Sequence, residues 1–405
     1  MKIFVIPATY NEKDNIEKFI TVLEEEVFPR IKDHEMYILV ADDYSPDGTG
    51  DIIKSLMKKY KNLDMNQGER KGLGAAYLRT MGEAIEKRGA DVVIEIDADF
   101  QFDPHDIVKF VKKIDEGYDM VIQTRYSGGG SIPENWPLQR KMFSITANLF
   151  VRTVFTKFSI HDWTGGFRAI RKEVFLKVRP EMANFGGYIF QIAFLHKAVR
   201  DGYKIGEVPL HFSDRKLGSS KIASFSYIMD VLRFVIFTRL KEFERFIKFL
   251  IVGGTGFIIQ LALQEGSYYT GVASFLAVLL HPLLTVLVHT SDTVAFANGV
   301  AAGIGAEGAI LFNFTLNNLW TFHDRAHSNI FQTIKRGITF NLTSFGAVIV
   351  QFLAIWIGVL AFGPATTIFS FHIPTRDIIL VPTIAFIVIP MNYLIYNKII
   401  WKKKK

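Results

Sequence analysis

The chain contains no cysteine among its 405 residues. A disulfide framework, a thiolate metal site and a cysteine nucleophile are therefore excluded. Positive charge is missing from one long stretch, because no Lys or Arg occurs between Phe249 and His323. Long apolar segments without basic residues are typical of membrane-spanning regions. The sequence therefore predicts a membrane region in its second half, after a charged first half that ends near residue 245.

The beginning of the chain lacks the long apolar segment of a secretory signal. A short apolar run after Lys2 leads directly into charged residues, so we expect the first half to remain in the cytoplasm. Much of the net charge of +7 lies beside hydrophobic segments, in residues 325–336 and 402–405. Basic residues in such places indicate membrane orientation and contacts with anionic lipids. No binding to nucleic acid is predicted.

The first half alternates short β-rich runs with helical patterns, the latter over residues 14–27 and 74–87. Strands are predicted at KIFVIP, MYILVA, DVVIEID and DMVIQT. This alternation is typical of βαβ units around a mostly parallel sheet, so the predicted fold class is α/β. Polar or acidic loops follow the first three strands, namely ATYNEKDN, DDYSPDGT and ADFQFDP. Because the carboxyl ends of parallel strands share one edge, we expect these loops to converge there.

Residues 91–104, DVVIEIDADFQFDP, end a buried strand in a cluster of carboxylates. One interpretation is a polar turn in which Asp103, before a proline, starts a helix. The other is that Asp97 and Asp99 hold a divalent cation, since Mg²⁺ takes oxygen ligands from one or two carboxylates together with substrate phosphates. The second interpretation predicts a metal-assisted reaction of a phosphate-bearing substrate.

Four segments of the second half are long enough to cross a bilayer. They comprise residues 246–268, 293–316, 338–362 and 378–400. A further apolar stretch, 272–288, is interrupted by His281 and Pro282. We interpret it as interfacial or re-entrant, because the basic residues at 325–336 and 402–405 should both face the cytoplasm. The prediction is a multi-pass protein of the cytoplasmic membrane with its first domain in the cytoplasm.

A series of motifs in about the first 225 residues resembles one known family. In order they are TYNEKDNIE, DDYSPDGT, GLGAAY, IDADFQFDP, TRYSGGG, NWPLQRK, HDWTGGFRAIRKEVF, GYIFQI and GEVPLHFSDRKLGSSK. The series is similar to that of polyprenyl-phosphate mannosyltransferases of the dolichol-phosphate mannose synthase type, within glycosyltransferase family two. ERFIKFLIVGGTGF and NFTLNNLWTF resemble the four-helix GtrA-like membrane domain of some members.

The resemblance implies three regions. Residues 1–221 would form a glycosyltransferase domain of the α/β GT-A fold, and residues 246–405 a membrane domain of four transmembrane helices. Between them, residues 222–245 mix basic and apolar side chains at near-helical spacing. Amphipathic helices at the membrane surface fit this pattern, and so does an ordinary packed helix.

The resemblance also implies the ligands. These are a GDP-mannose donor, Mg²⁺ or Mn²⁺, and a dolichyl or other polyprenyl monophosphate in the lipid bilayer. Whether the protein forms a homo-oligomer through its membrane domain stays open. On matching positions, the donor would contact Pro7, Tyr10, Asn11, Glu12, Asp42, Asp43, Asp97, Ala98, Asp99, Gln101, Arg215 and Lys221. The metal ligands would be Asp97, Asp99 and Gln101.

Two positions depart from the family pattern. Pro7 lies one residue earlier relative to the Tyr-Asn-Glu sequence than is usual, which weakens the predicted Pro7 contact. Tyr44 stands where glycine is common, which predicts a reshaped loop over the nucleotide.

The acceptor phosphate must approach an already anionic donor, a task that suits the planar forks of arginine. By the same resemblance, its partners would be Arg125, Arg140, Ser144 and Arg215, and the catalytic set would be Asp99, Arg125, Arg140 and Arg215. A phosphate monoester has a second pKa of about 6 and needs no strong general base. Attack opposite the leaving group would give a β-linked lipid from an α-linked donor. For His161 and Asp162, structural and catalytic roles both stay open.

Two other functions stay open from the sequence. Related enzymes share these motifs, so the transfer of glucose from UDP-glucose to a polyprenyl phosphate is the nearest alternative. A glycolipid flippase with a sugar-nucleotide-binding domain is an alternative of another class. Its support is Glu307 and the glycine-rich GGTGF and GVAAGIGAEG, although glycine in a membrane helix more often serves close helix packing.

Overall fold

The computed structural model falls into two compact units, Met1–Arg239 and Leu240–Lys405. It describes residues 1–133, 136–182, 185–186, 189–211, 225–279, 293–325, 329–362, 365–368, 371–374 and 382–402. Two predicted site residues, Arg215 and Lys221, lie outside the described residues. The same holds for the interrupted stretch around His281 and Pro282.

The first unit is built on a seven-stranded sheet with the order β3-β2-β1-β4-β6-β5-β7. Its strands are β1 Lys2–Thr9, β2 Glu35–Asp42, β3 Leu63–Gln67, β4 Val92–Asp97, β5 Met120–Thr124, β6 Arg168–Arg171 and β7 Ile205–Pro209. Strand β6 runs antiparallel to both of its neighbours, β4 and β5. All other pairs are parallel, so the sheet is mostly parallel, as the sequence predicts.

Helices cover both faces of this sheet. They are α1 Lys13–Val22, α2 Thr49–Lys59, α3 Leu73–Glu86, α4 Ile107–Asp115, α5 Leu138–Val154, α6 Lys172–Val178 and α7 Ile189–Arg200. The helix predicted over 14–27 continues past α1 as a π-helical segment, Leu23–Val27. The helix predicted over 74–87 corresponds to α3.

Alternate residues of β1 contribute to two separate cores. Ile3 and Val5 join one cluster, and Phe4 and Ile6 join the other. A strand buried on both faces reads as a continuous apolar run, which explains the sequence signal of a parallel sheet. The sheet therefore provides a rigid platform whose loops are the variable part.

Helix α8, Phe225–Tyr269, extends for 45 residues and enters the second unit. It contains no proline and continues through the domain boundary that the sequence predicts at 245/246. The division between the two units falls earlier in the chain, between Arg239 and Leu240. Within the described part of the chain, one helical stretch, Ile228–Tyr269, is long and apolar enough to cross a membrane. The membrane placement of residues 222–245 stays a prediction.

The second unit continues with further helices at the predicted apolar segments. They are Thr293–Leu316, Ile330–Phe362 and Ile389–Ile395, the last flanked by the π-helical segments Thr383–Val388 and Tyr396–Ile400. Two antiparallel strands, Ala365–Ile368 and Phe371–Pro374, follow the second of these helices. Aromatic side chains form the core of the unit, with the rings of Phe322 and Trp401 stacked 4.7 Å apart. Four crossings stay a prediction.

Candidate active site

The loops after β1, β2 and β4 meet at one edge of the sheet. Thr9 at the end of β1 lies opposite Asp42 at the end of β2, and Ala8 lies opposite Asp97 at the end of β4. Since the three strands are parallel neighbours, the register itself brings the polar loops together. The predicted convergence of these loops is confirmed.

Each of these loops contains a non-glycine residue with a left-handed backbone. The φ angle is 62° at Asn11, 51° at Tyr44 and 57° at Phe100. Such a backbone costs a residue with a bulky side chain about 1 kcal/mol or more. Tyr44 adopts a backbone conformation that glycine, the residue common at this position in the family, takes easily. The tyrosine therefore adds a ring, 59% exposed, without requiring a different backbone. Its effect on the bound nucleotide stays a prediction.

Asp42 is fully buried at the centre of this edge. Its Oδ1 accepts hydrogen bonds from the hydroxyls of Ser45, at 2.6 Å, and Thr9, at 3.2 Å. Its Oδ2 accepts one from Gln67 Nε2 at 3.0 Å. Both carboxylate oxygens thus fasten the loop after β2 to the neighbouring strands. The predicted contact of Asp42 with the donor must therefore compete with these bonds.

Arg79 holds the next carboxylate, Asp43. Arg79 Nη2 lies 3.1 Å from Asp43 Oδ1, and Arg79 Nε donates to Asn66 Oδ1 at 2.6 Å. Burial raises the pKa of Asp43, although the Arg79 hydrogen bond and charge oppose the shift. Helix α3 therefore positions the loop after β2 through one arginine.

Side chains of the loop after β2 also fix the backbone of the loop after β1. Ser45 Oγ, Thr49 Oγ1 and Asp47 Oδ2 each accept a hydrogen bond of 3.1 Å, from the backbone N–H groups of residues 11, 12 and 13 respectively. Burial alone would raise the pKa of Asp47, but hydrogen bonds from Thr49 and from the backbone N–H of Lys13 lower it. The predicted donor-binding segment is therefore held in one shape by its neighbour.

An aromatic ring lies beside this segment. Tyr10 is 37% exposed, and the Arg70 guanidinium lies 3.8 Å from the centre of its ring. An arginine at this distance over a tyrosine forms a cation–π contact. Tyr10 and Arg70 thus form an exposed cationic and aromatic surface at the edge of the sheet.

The predicted metal ligands follow β4. Asp97 and Asp99 are partly exposed and Gln101 is buried. Asp97 Oδ1 accepts a hydrogen bond of 3.3 Å from the Tyr77 hydroxyl, and Asp99 Oδ1 accepts one of 3.0 Å from the backbone N–H of Gln101. No group of three or more His, Asp or Glu side chains that could hold a metal occurs among the described residues. Two carboxylates and an amide suit a divalent cation that completes its shell with phosphates and water.

A buried polar cluster lies beneath Asp97. Tyr77 is fully buried, and burial together with the charge of Asp97 raises its pKa well above the ordinary value. Tyr77 therefore keeps its proton and acts as a donor to Asp97. Glu95 lies 3.5 Å from Arg168, and both side chains are buried. Burial raises the pKa of Glu95 to about 8 against the opposing charge of Arg168.

Arg125 and Asp162 form a buried, bidentate ion pair. Arg125 Nε lies 2.7 Å from Asp162 Oδ2, and Nη2 lies 2.9 Å from Oδ1. The Arg125 side chain is 10% exposed and that of Asp162 is fully buried. Burial alone would raise the pKa of Asp162, but the charge and hydrogen bonds of Arg125 hold it below its usual value. Asp162 thus has a structural partner, and the proposed acceptor contact of Arg125 stays a prediction.

The remaining described acceptor residues lie on or beside α5. The Arg140 guanidinium lies 3.8 Å from the ring centre of Trp136, and the Ser144 hydroxyl is hydrogen-bonded to that of Tyr126. The same helix exposes apolar side chains at Leu138, Met142, Phe143, Ile145 and Leu149. An exposed apolar stripe of this kind indicates contact with another apolar phase.

Comparison with known proteins places this site in a family. Residues 4–179 match glycosyl transferase family 2, and residues 248–401 match the GtrA/DPMS transmembrane domain. Dolichol-phosphate mannosyltransferase of Pyrococcus furiosus is 31% identical over 361 residues, which cover 88% of this chain and 90% of that protein. The chain belongs to the polyprenyl-phosphate mannosyltransferases of glycosyltransferase family two. It is an enzyme with a membrane domain.

A second mannosyltransferase matches a shorter part of the chain. Polyprenol monophosphomannose synthase of Mycolicibacterium smegmatis is 36% identical over 221 residues, which are 54% of this chain and 80% of that protein. Among solved structures, glucosyl-3-phosphoglycerate synthase of Mycobacterium tuberculosis is similar, with 18% identity, a TM-score of 0.43, and coverage of 59% of this chain and 78% of that one. The family match and the order of the sheet confirm the GT-A-like α/β fold predicted for the first unit.

Sequence reasoning assigned no role to several mannosyltransferase residues that shape the site. Tyr77 is the last residue of the motif GLGAAY and Arg79 lies two residues beyond it; these two polar side chains were the available signal. Arg168 follows the motif TGGF and donates to the backbone oxygens of Gly165 and Gln191. Only the fold shows that these side chains support Asp97, Asp43 and the loop before β6.

Proposed function

We propose that the chain transfers mannose from GDP-mannose to the phosphate of a dolichyl or other polyprenyl monophosphate, with inversion, and releases GDP. The observation that carries this proposal is the similarity to an archaeal dolichol-phosphate mannosyltransferase along 90% of its length. That similarity includes both the transferase unit and the membrane unit. It supports a lipid-linked acceptor more than a transferase domain alone would.

The proposed donor site is the sheet edge formed by the loops after β1, β2 and β4. Tyr10 and Arg70 present an aromatic and cationic surface there. Asp97 is the last residue of β4, and Asp99 follows in the loop at the same edge. Asp97, Asp99 and Gln101 would hold the divalent metal, Mg²⁺ or Mn²⁺. When bound, the metal neutralises charge on the leaving diphosphate. Tyr77 keeps Asp97 oriented through its hydroxyl.

The proposed reaction needs no protein base. An oxygen of the acceptor phosphate attacks the anomeric carbon, the bond from that carbon to the donor phosphate breaks, and GDP takes the bonding electrons. A phosphate monoester with a second pKa of about 6 is largely a dianion at neutral pH. The protein must instead orient two anions against their mutual repulsion. Preorganised arginines are suited to that task.

The proposed acceptor site combines cations with an apolar surface. Arg125 is held rigidly by Asp162, while Arg140 and Ser144 lie on α5, whose apolar stripe could rest in lipid beside the isoprenoid. Arg215 completes the set by resemblance. We place this site on the cytoplasmic side of a multi-pass membrane protein, so that mannose is added at the inner leaflet.

Nucleotide release tests the donor and the acceptor together. Purified full-length protein is incubated with dolichyl phosphate, Mg²⁺ or Mn²⁺, and either GDP-mannose or UDP-glucose. The proposal predicts acceptor-dependent release of GDP, with little release of UDP. Preferential release of UDP would assign the glucosyltransferase alternative. Binding of sugar nucleotide without any acceptor-dependent release would favour the flippase alternative.

A further inference from the structure

One aromatic residue contacts two of the residues that the proposed acceptor site uses. Tyr126 follows Arg125 in the loop after β5, and its hydroxyl is hydrogen-bonded to that of Ser144 on α5. The Arg125 guanidinium lies 5.2 Å from the centre of the Tyr126 ring, within the range of a cation–π contact. Sequence reasoning assigned Tyr126 no role. Its place between a cation and a hydroxyl indicates one.

Backbone hydrogen bonds fix the loop that carries this tyrosine. The N–H of Tyr126 donates to Thr124 Oγ1 at 3.2 Å, and the N–H of Arg125 donates to Asp162 Oδ2 at 3.2 Å. A Cβ at Gly130, later in the same loop, would lie 2.6 Å from the carbonyl oxygen of Thr124. Only glycine therefore allows the loop to fold back onto the end of β5. The loop holds the Tyr126 ring and the Arg125 guanidinium in one arrangement.

A buried amide fixes α5 to the same region. Asn148 is 3% exposed, and its Nδ2 donates to the carbonyl oxygen of Ser144 at 3.1 Å. Its Oδ1 accepts a hydrogen bond of 2.8 Å from the N–H of Trp163. Trp163 directly follows Asp162, the partner of Arg125. The helix that carries Ser144 and the loop that holds Arg125 are therefore joined through Asn148.

The hydroxyls of Tyr126 and Ser144 together form a hydrogen-bond donor. The bond between them uses one of their two protons, so the pair keeps a second proton for another acceptor. Burial raises the pKa of Tyr126 against the opposing charge of Arg125, so the phenol keeps its proton at neutral pH. Both residues are partly exposed. A hydroxyl donor beside a guanidinium suits an anionic oxygen, because hydrogen bonds to charged acceptors are strong.

We propose that Tyr126 is a positioning residue for the acceptor phosphate. Tyr126 donates its proton to Ser144 Oγ, which directs the proton of Ser144 to a phosphate oxygen, and its ring keeps the Arg125 guanidinium beside that oxygen. The assignment rests on the proposed acceptor site but not on the identity of the nucleotide sugar. The group recognised is a phosphate monoester, and the isoprenoid takes no part in it.

Binding of farnesyl phosphate to the full-length protein in detergent micelles tests the proposal, with farnesol as the probe that lacks the phosphate. Tyr126→Phe removes one hydroxyl and keeps the ring beside Arg125. We expect it to weaken farnesyl phosphate binding by about tenfold, the effect of losing one hydrogen bond to a charged group. Farnesol binding and Tm should stay near wild type. The matched control is Tyr37→Phe, which removes a hydroxyl that donates to Glu35 at 3.0 Å and should change none of these values.

A double-mutant cycle separates this role from general support of the fold. If Tyr126 acts through Ser144, Ser144→Ala should weaken farnesyl phosphate binding by a similar factor, and adding Tyr126→Phe should weaken it little further. Effects that multiply in the folded double variant would show that the two residues act independently. That result, undiminished binding by Tyr126→Phe, or equal losses for farnesol and farnesyl phosphate would each overturn the proposal.

Nucleotide release from the same samples keeps this inference apart from the proposed function. With GDP-mannose or UDP-glucose as donor, Tyr126→Phe should raise the KM for dolichyl phosphate more than the KM for the nucleotide sugar. Wild-type protein that releases neither nucleotide would contradict the proposed transfer, and the binding measurements would then decide the role of Tyr126. Wild-type protein that binds farnesyl phosphate no better than farnesol would contradict the role of Tyr126 itself.

Discussion

Individual carboxylates at the end of β4 have distinct supports in the fold. Asp97 is oriented by a buried tyrosine, whereas Asp99 accepts from the backbone of its own loop. Neither support could replace the other, because one comes from α3 and the other from the turn that follows the strand. Substitutions of Asp97 and of Asp99 should therefore differ in their effect on stability but should reduce activity similarly.

Replacing Asp99 tests its proposed role. Asp99→Ala removes a carboxylate that we propose as a metal ligand, and loss of such electrostatic stabilisation should lower kcat by about 100-fold or more. The fold should persist, since Asp99 is partly exposed. Steady-state transfer and thermal unfolding measure the two effects. The matched control is Asp51→Ala, whose side chain is 84% exposed on α2. Full activity of Asp99→Ala with unchanged metal dependence would contradict the assignment of Asp99 as a metal ligand.

His105 provides a prediction about pH. Its Nδ1 lies 2.6 Å from Asp103 Oδ1 and its Nε2 lies 3.0 Å from Glu26 Oε2. The hydrogen bond to Asp103 is the main reason that the pKa of His105 is raised above 6.5. A raised pKa means that the folded state binds the proton more tightly than the unfolded state. The stabilisation is therefore complete below pH 6.5 and is lost as pH rises through the folded-state pKa.

His105→Gln should remove this pH-dependent contribution. Thermal unfolding of wild type and variant is compared between about pH 5.5 and about pH 8.5. The Tm difference between wild type and variant should be largest at the acidic end and should shrink as pH rises. Parallel Tm curves over this range would show that His105 does not couple folding to protonation.

The three loops at the edge of the sheet share two structural features. Each has a residue in the left-handed region, and hydrogen bonds restrain each backbone. One joins the loop after β1 to the loop after β2, one joins Ser45 to Asp42 at the end of β2, and one lies within the loop after β4. Strained residues persist where the surroundings over-determine the backbone. These features keep the loops in one shape before substrates bind, which lowers the entropic cost of ordering the loops on binding.

Substitutions at Tyr44 test this interpretation of the loops. Tyr44→Gly removes the strain but gains freedom in the unfolded chain, so its stability should stay within about 1 kcal/mol of wild type. Tyr44→Ile places a β-branched residue at a φ of 51° and should cost about 1–2 kcal/mol. Denaturant titration compares the two. Equal stability of Tyr44→Ile and wild type would show that the backbone changes shape freely there.

Strands with a clear local sequence pattern were predicted, and strands without one were not. The four strands with continuous apolar runs, such as β1 and β4, were predicted at their places because burial on both faces leaves a clear pattern. Strands β3, β6 and β7 were missed. Strand β3 is LDMNQ, a polar edge strand, and β6 begins with Arg168, whose burial depends on partners far along the chain. Local patterns cannot reveal such partners.

The candidate site was predictable to a similar extent. The carboxylates after β4 and the convergence of the loops followed from strand order and residue type. The ties of Asp42 to Ser45 and Gln67 did not, nor did the pairing of Arg125 with Asp162. The Asp42–Ser45 bond depends on the exact shape of one loop, and the other two join elements that only the folded sheet brings together. Sequence can therefore name residues of a site without showing which of them already have partners.

The whole chain combines a transferase unit with a membrane unit, and its orientation decides where the product forms. The predicted topology places residues 291 and 375 outside and residue 329 in the cytoplasm. The first two positions lie outside the described residues. Because the chain has no cysteine, Ser291→Cys, Thr375→Cys and Asn329→Cys each create a single reactive site. Membrane-impermeant labelling of intact cells should modify the first two and spare the third, with permeabilised cells as the control. Labelling at 329 would refute the four-span arrangement.

The configuration of the lipid product tests the central claim most directly. Full-length protein reconstituted in liposomes with dolichyl phosphate, GDP-mannose and Mg²⁺ or Mn²⁺ should yield mannosyl phosphodolichol. NMR of the purified lipid should show a β-anomeric linkage, because in the proposed reaction the acceptor phosphate attacks the face of an α-linked donor opposite the leaving GDP. Formation of an α-linked product, or of no mannosyl lipid while UDP-glucose yields a glucosyl lipid, would contradict the account.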